Sequence, residues 1–205
     1  MKVLLLNGSP QPKGCTFTAL QEIAVQLQAQ GIEPEIVQLG AAPIRGCTAC
    51  RKCDTQFKCV YGEKDVNLFA DKLYQAHGLV IGSPVYYASP NGALLSFLDR
   101  LFFSNAGLFI YKPGAAVVSA RRSGATAALD VLNKYFLLSA MPVVPSLYWN
   151  IVHGNTPEEV QQDLEGMQTM RTLGRTMSWM LHAFEKGDPP PVPEERIRTN
   201  FIRSL

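Results

Sequence analysis

Cys47, Cys50, Cys53 and Cys59 stand in one short run, CTACRKCDTQFKC, and make up four of the chain's 5 cysteines. Three thiolates at intervals of three, with a fourth after a longer spacer, can wrap one cuboidal iron–sulfur cluster, as ferredoxin-type runs do. In two-cluster ferredoxins the fourth cysteine serves the other cluster. No second set exists here, so Cys59 is the natural fourth ligand of the same one. Zinc is the competing metal, although its four-cysteine sites usually combine two C-x2-C knuckles across a long spacer. A loop of metal-free thiols is the third reading. Arg45, Arg51, Lys52 and Lys58 flank the run, where they would offset thiolate charge and lower the thiol pKa values. Cys15 lies apart and reads as a helix-start residue with no metal-ligand role. His77, His153 and His182 show no ligand spacing.

Three further segments carry polar chemistry. NGSPQPKGCTFT, from Asn7 to Thr18, offers the Ser9, Thr16 and Thr18 hydroxyls, one lysine, and backbone N–H groups at a helix start. Those groups can cradle a single terminal phosphate; the alternative is a capped turn of structural use only. The order Lys13 then Gly14 fails the G-x-x-x-x-G-K-[ST] pattern and no G-x-G-x-x-G occurs, which disfavours a triphosphatase and a Rossmann dinucleotide fold. In GSPVYYASPNG, Pro84 stiffens a turn from which Val85, Tyr86 and Tyr87 can present amides and aromatic surface to a flat heterocycle, or else pack on the core. SARRSGAT brings Ser119, Arg121 and Arg122; the arginines either stabilise an anionic ring, or are solvated or paired with a neighbouring subunit.

The elements that position these loops are legible from periodicity. Lys2 to Leu6 is a buried strand, and Leu20, Ile23, Ala24 and Leu27 recur at helical spacing, with Gly31 where a C-cap belongs. EPEIVQL reads as a strand, DVNLFADKLYQA as a helix from near Asp65, and GLVIGS as a strand. ALLSFLDRLFF follows as a helix, then GAAVVSA as a strand, GATAALDVLNKYFLLS as a helix and MPVVPSL as a fifth strand. YWNIVHG closes that strand at the border of the site. Thr156, Pro157, Glu158 and Glu159 start a final helix that runs to about Lys186, with Gly187 as its stop. Strands alternating with helices require right-handed crossovers and a parallel sheet. The expectation is an α/β, flavodoxin-like, doubly wound five-stranded sheet, order 2-1-3-4-5, in three layers. One domain spans 1–186, with the cysteine loop 47–59 inserted after strand two, and 187–205 form a proline-rich tail.

GSPQPKGCT resembles the G-S-P-R-x-x-G-x-T loop of the flavodoxin-like, NADPH-dependent FMN reductase superfamily. GSPVYYASPNGALLSFLDR is similar to its G-S-P-x-Y segment and the helix that ends in F-x-D-R. Ser96 departs from that pattern, since many relatives carry lysine there. The cysteine run resembles the signature of the iron–sulfur flavoprotein family, whose members carry FMN and a 4Fe–4S cluster. The resemblance covers most of residues 1–186. It implies an FMN site formed by Ser9, Lys13, Cys15, Thr16, Phe17, Thr18, Pro84, Val85, Tyr86, Tyr87, Ser119, Ala120, Arg121 and Gly124. The metal ligands it implies are Cys47, Cys50, Cys53 and Cys59.

The expected activity is electron transfer between a reduced donor and an acceptor through FMN and a 4Fe–4S cluster, with the chemistry belonging to the cofactors. The alternatives are a cluster-free NAD(P)H-dependent FMN or quinone reductase, and a non-enzymatic electron carrier or redox sensor. A net charge of +2 with no basic block argues against nucleic acid as a partner. The first residues are too brief for a signal-peptide core and no stretch reaches membrane-span length, so a cytoplasmic protein with no membrane partner is expected. Apolar surface on the last helix, including Met170, Leu173, Met177, Met180 and Leu181, points to a homo-oligomer, a dimer or tetramer.

Overall fold

Apolar runs of strand length, each bounded by polar turns, become the middle of a parallel sheet because both of their faces can be covered. In the computed structural model, which describes residues 1–61, 64–195 and 197, these runs are β1 (Lys2–Asn7), β3 (Gly78–Tyr86) and β5 (Gly114–Ala120). At the edges stand β2 (Glu33–Gln38) and β6 (Ile151–His153). The parallel order is β2-β1-β3-β5-β6, with a two-residue β4 (Ser89–Pro90) turned back antiparallel on β3. Counting parallel strands alone, this is the expected 2-1-3-4-5 arrangement.

Alternate residues of β1 feed opposite cores. Leu4 and Leu6 pack with α3 (Lys64–Gln75), α4 (Gly92–Asn105) and α5 (Ala125–Leu138), while Val3 and Leu5 pack with α1 (Cys15–Ala29) and α7 (Leu164–Lys186). This gives three layers. The short α2 (Cys53–Gln56) lies within the cysteine loop, and α6 (Pro157–Gln162) precedes α7. Gly31, with φ +73°, takes the left-handed position after α1 where it was expected.

Two elements differ from the reading above. The fifth strand is not Met141–Leu147. That segment touches β5 only at its start: the Val144 amide donates to the Gly114 carbonyl at 2.8 Å, and the Gly114 amide donates to Pro142 at 2.9 Å. Pro142 and Pro145 have no N–H to extend a ladder, so the chain leaves the edge and re-joins it at Ile151–His153, beside Val118–Ala120. The last helix is two. Thr156 caps α6 by accepting from the Glu159 amide at 3.3 Å, but Asp163 interrupts the run. Its carboxylate accepts from the Gly166 amide at 3.0 Å and the His153 amide at 2.7 Å, so it caps α7 and ties that helix to β6.

Met170, Leu173, Met177 and Leu181 are buried within this chain, against α1 and the sheet. Gly174 permits the approach: a Cβ there would stand 2.7 Å from the Gln26 Cβ. The apolar surface attributed to a second copy is therefore covered internally at these four residues. Among the described residues no helix is long and apolar enough to cross a membrane. Of the last ten residues of the tail, 196–205, all but Ile197 lie outside the described residues.

Candidate functional site: a phosphate-loop cleft beside a cysteine loop

The carboxyl ends of the strands open into a cleft of about 790 Å³. Its wall brings together Ser9, Lys13, Cys15 and Thr16 from the first loop, Pro84, Val85 and Tyr86 from the second, and Ser119 and Arg121 from the third. Gly154, the last residue of the segment expected to border the site, lines it too, followed by Asn155, Thr156 and Pro157, which carried no sequence signal for a site. Phe17, Thr18, Tyr87, Ala120 and Gly124 lie off this lining. Thr18 turns its hydroxyl back to the Gly14 carbonyl at 3.3 Å. Ala120 is buried in the sheet, Gly124 caps α5, and Tyr87 stands fully exposed on the rim.

The first loop is braced on three sides. The Asn7 side chain accepts from the Ser9 amide at 3.2 Å and donates to the Gln38 carboxamide at 2.6 Å, which in turn donates to the Ser9 carbonyl at 2.7 Å. Asn91 donates to the Gly8 carbonyl at 2.8 Å, and its own amide donates to the Ser83 hydroxyl at 3.0 Å. The Thr16 and Ser119 hydroxyls share a hydrogen bond at 2.8 Å across the cleft floor. Asn7, Gln38 and Asn91 were not singled out in sequence; the available signal was a carboxamide at the carboxyl end of an apolar strand or just before a helix.

At the head of α1 the N-cap is Gly14, no side chain caps the helix, and no acid stands in its first turn. The first N–H groups of a helix need acceptors, and the positive end of its dipole favours an anion. A braced loop, buried hydroxyls and an uncapped helix start fit a phosphate. Cys15 shares this wall, its thiol pushed up by burial and by the Glu159 and Glu158 carboxylates, so it sits there as a neutral thiol.

The turn from β3 to β4 is strained. Tyr86 pairs with Ser89, so Tyr87 and Ala88 form a two-residue connection, and both have left-handed φ, +51° and +58°. Such turns favour Asn-Gly, because a side chain in this region costs roughly 1–2 kcal/mol. The turn is held down by α5: Gly124, at φ +88°, comes so near that a Cβ there would lie 2.9 Å from the Ala88 Cα. Strain of this kind concentrates where a loop must meet a ligand.

The four cysteines line a second, narrow pocket with Tyr61, Arg100 and Phe103. Cys47 and Cys50 are exposed, whereas Cys53 and Cys59 are half-buried. Ala49, Arg51 and Phe57 all have left-handed φ, and this curls the loop tightly. Among the described residues no three His, Cys, Asp or Glu side chains stand close enough to share one metal ion. The thiols surround one space without having converged on a point. Three of the basic residues are engaged away from the thiols. Arg51 reaches Asp54 at 3.9 Å, Lys58 reaches Asp71 at 3.7 Å, and Arg45 lies over the Tyr61 ring. Burial, then Asp54, pushes the Cys53 thiol up rather than down.

Comparison with known proteins agrees with this geometry. Residues 1–156 match the family described as NADPH-dependent FMN reductase. The chain is 31% identical over 178 residues to an iron-sulfur flavoprotein of Archaeoglobus fulgidus, covering 83% of this chain and 86% of that one. It is 28% identical over 194 residues to an iron-sulfur flavoprotein of Methanocaldococcus jannaschii, covering 91% and 100%. Among solved structures, RosB with the bound intermediate 8-demethyl-8-formylriboflavin-5'-phosphate superposes with TM-score 0.71 at 16% identity, over 100% of this chain and 95% of that one. An NADH:FMN oxidoreductase superposes with TM-score 0.64 at 16% identity, over 87% and 89%; at such identity both likenesses speak for the fold alone. By its matched family model and these relatives, the chain belongs to the flavodoxin-like NADPH-dependent FMN reductase family, iron–sulfur flavoprotein type.

Proposed function

We propose that this FMN-dependent oxidoreductase passes electrons through two centres, FMN in the cleft and a 4Fe–4S cluster held by Cys47, Cys50, Cys53 and Cys59. When bound, FMN supplies hydride or single-electron chemistry and the cluster supplies single electrons. The chain's own residues bind and orient. Ser9, Thr16 and the uncapped start of α1 hold the phosphate, Pro84, Val85 and Tyr86 lie along the ring, and Arg121 offers a cation to its polar edge.

The observation that carries the two-centre reading is that all four thiols line one pocket on α4, the helix whose leading Asn91 braces the phosphate loop. From Gly92 to Arg100 the helix advances roughly 12 Å at 1.5 Å per residue, which keeps the two sites within one element of each other. The test is anaerobic purification with a visible spectrum, and iron and acid-labile sulfide assays. Flavin with about four irons per chain supports the reading; flavin bands without iron leave a single-centre reductase.

A second reading, a cluster-free NAD(P)H-dependent FMN or quinone reductase, is supported by the matched family, which is described as NADPH-dependent FMN reductase. It predicts rapid NAD(P)H oxidation with a quinone and no change on mutating the cysteines to serine. A small-molecule or protein electron donor and acceptor, a cytoplasmic location suited to reduced thiols, and a homo-oligomeric state complete the proposal.

A further inference from the structure

Arg100 is 2% exposed, deep in α4. A guanidinium taken out of water must be met by acceptors, so the destinations of its N–H groups are informative. Nε donates to Cys59 Sγ at 3.4 Å, Nη1 donates to the Arg45 carbonyl at 3.3 Å, and Nη2 donates to the Tyr61 carbonyl. Arg45 precedes the cysteine run and Tyr61 follows it. One side chain therefore ties both limbs of the loop to the core. The neck is closed again where the Arg45 guanidinium lies 4.8 Å over the Tyr61 ring. Cys59 is also fixed from α3: its amide donates to Asn67 Oδ1 at 3.0 Å, and its carbonyl accepts from Asn67 Nδ2 at 2.9 Å. Cys47 and Cys50 ride exposed on the loop above.

We propose that Arg100 is a positioning residue for the metal centre: it closes the neck of the cysteine loop before metal arrives, and its Nε–H, kept on the Cys59 sulfur, raises the potential of the bound cluster. The proposal rests on the two-centre reading and deepens it. Cys59 becomes the preset ligand, held through both its backbone and its sulfur, onto which the other three thiols close. A hydrogen bond to a ligating sulfur withdraws electron density and favours the reduced cluster, and such outer partners also set metal affinity. Lysine in this place keeps the charge but loses the planar fork that reaches both limbs.

The test compares Arg100→Lys and Asn67→Ala with the unaltered full chain. In metal-free protein, limited proteolysis within residues 47–59 reads the neck, and faster cleavage is expected in both variants. After anaerobic reconstitution, iron retention against a chelator falls about 10- to 100-fold in Arg100→Lys. The midpoint potential moves negative in Arg100→Lys and stays put in Asn67→Ala, which retains the bond to sulfur. Unchanged cleavage in Arg100→Lys, or a potential equal to that of the unaltered protein, overturns the proposal. Thermal melting and FMN titration show whether the rest of the fold is intact, and Arg100→Gln replaces the lysine variant if that one melts globally. If the unaltered protein retains no iron, the two-centre reading fails separately, and the proteolysis comparison still decides whether Arg100 closes the loop.

Discussion

Thr16 is 1% exposed, yet it lines the cleft, and its hydroxyl shares a hydrogen bond with another hydroxyl, on Ser119. Of a pair of mutually bonded hydroxyls, one donates to the other and the second keeps its O–H free for a ligand. Thr16→Val keeps the shape and removes the donor. A hydrogen bond to a charged group contributes about 1.5–3 kcal/mol, so FMN should bind roughly 10- to 100-fold more weakly, as read by quenching of flavin fluorescence. An unchanged dissociation constant would separate Thr16 from the phosphate. At this scale the hydroxyls were readable from sequence as residue types near a helix start. The carboxamides Asn7, Gln38 and Asn91 were not, because their use depends on which loops the sheet brings side by side.

Among the elements, the Tyr87–Ala88 connection stores strain that the fold above it maintains. Ala88→Gly removes the left-handed penalty and should stabilise by about 1 kcal/mol, raising the melting temperature by roughly 2–4 °C. Gly124→Ala should do the reverse and by more, because it adds both a positive-φ penalty at +88° and a Cβ 2.9 Å from the Ala88 Cα. Calorimetry of the two variants checks both, and a cooler Ala88→Gly protein would mean the turn is not strained. The misplaced fifth strand belongs to the same scale. MPVVPSL has strand composition, but composition does not report which amides are available to a neighbour, and its two prolines withhold theirs. Likewise Thr156 was a legible helix start, while Asp163 became a second one by accepting from the Gly166 amide, and it accepts from the His153 amide of β6 as well.

Across the whole molecule, Glu35 on the edge strand β2 joins Lys2 of β1 at 2.6 Å and Lys72 of α3, so one carboxylate links three elements. Hydrogen bonds from Lys2 and then Lys72 hold its carboxyl below the usual range. A depressed folded pKa means the stabilisation is complete above the unfolded value, near 4.3, and is lost as pH falls through the folded one. Glu35→Gln should therefore lower stability at pH 7 by about 1 kcal/mol or less, and this difference should fade in acid as the pH falls through the depressed folded pKa. Denaturant melts at the two pH values decide it; a deficit that persists in acid would point to lost packing instead. The homo-oligomer proposed above is carried by apolar residues left outside, chiefly Trp179 at 70% and Leu164 at 77% exposure on the α6–α7 side. Light scattering should give a multiple of 22.6 kDa, and a monomer removes that part of the proposal.

Periodicity and local chemistry were enough to determine the doubly wound sheet, the three loops at its carboxyl edge and the thiol set, because each depends on residues close together in the chain. Tertiary structure alone decided that Asn7, Gln38 and Asn91 lock the loop after β1, that α7 is spent on α1 and the sheet, and that a buried arginine grips both limbs of the cysteine loop. Those facts join residues far apart in sequence. A hydrogen bond or a covered face between them exists only once the strand order has set which ends meet.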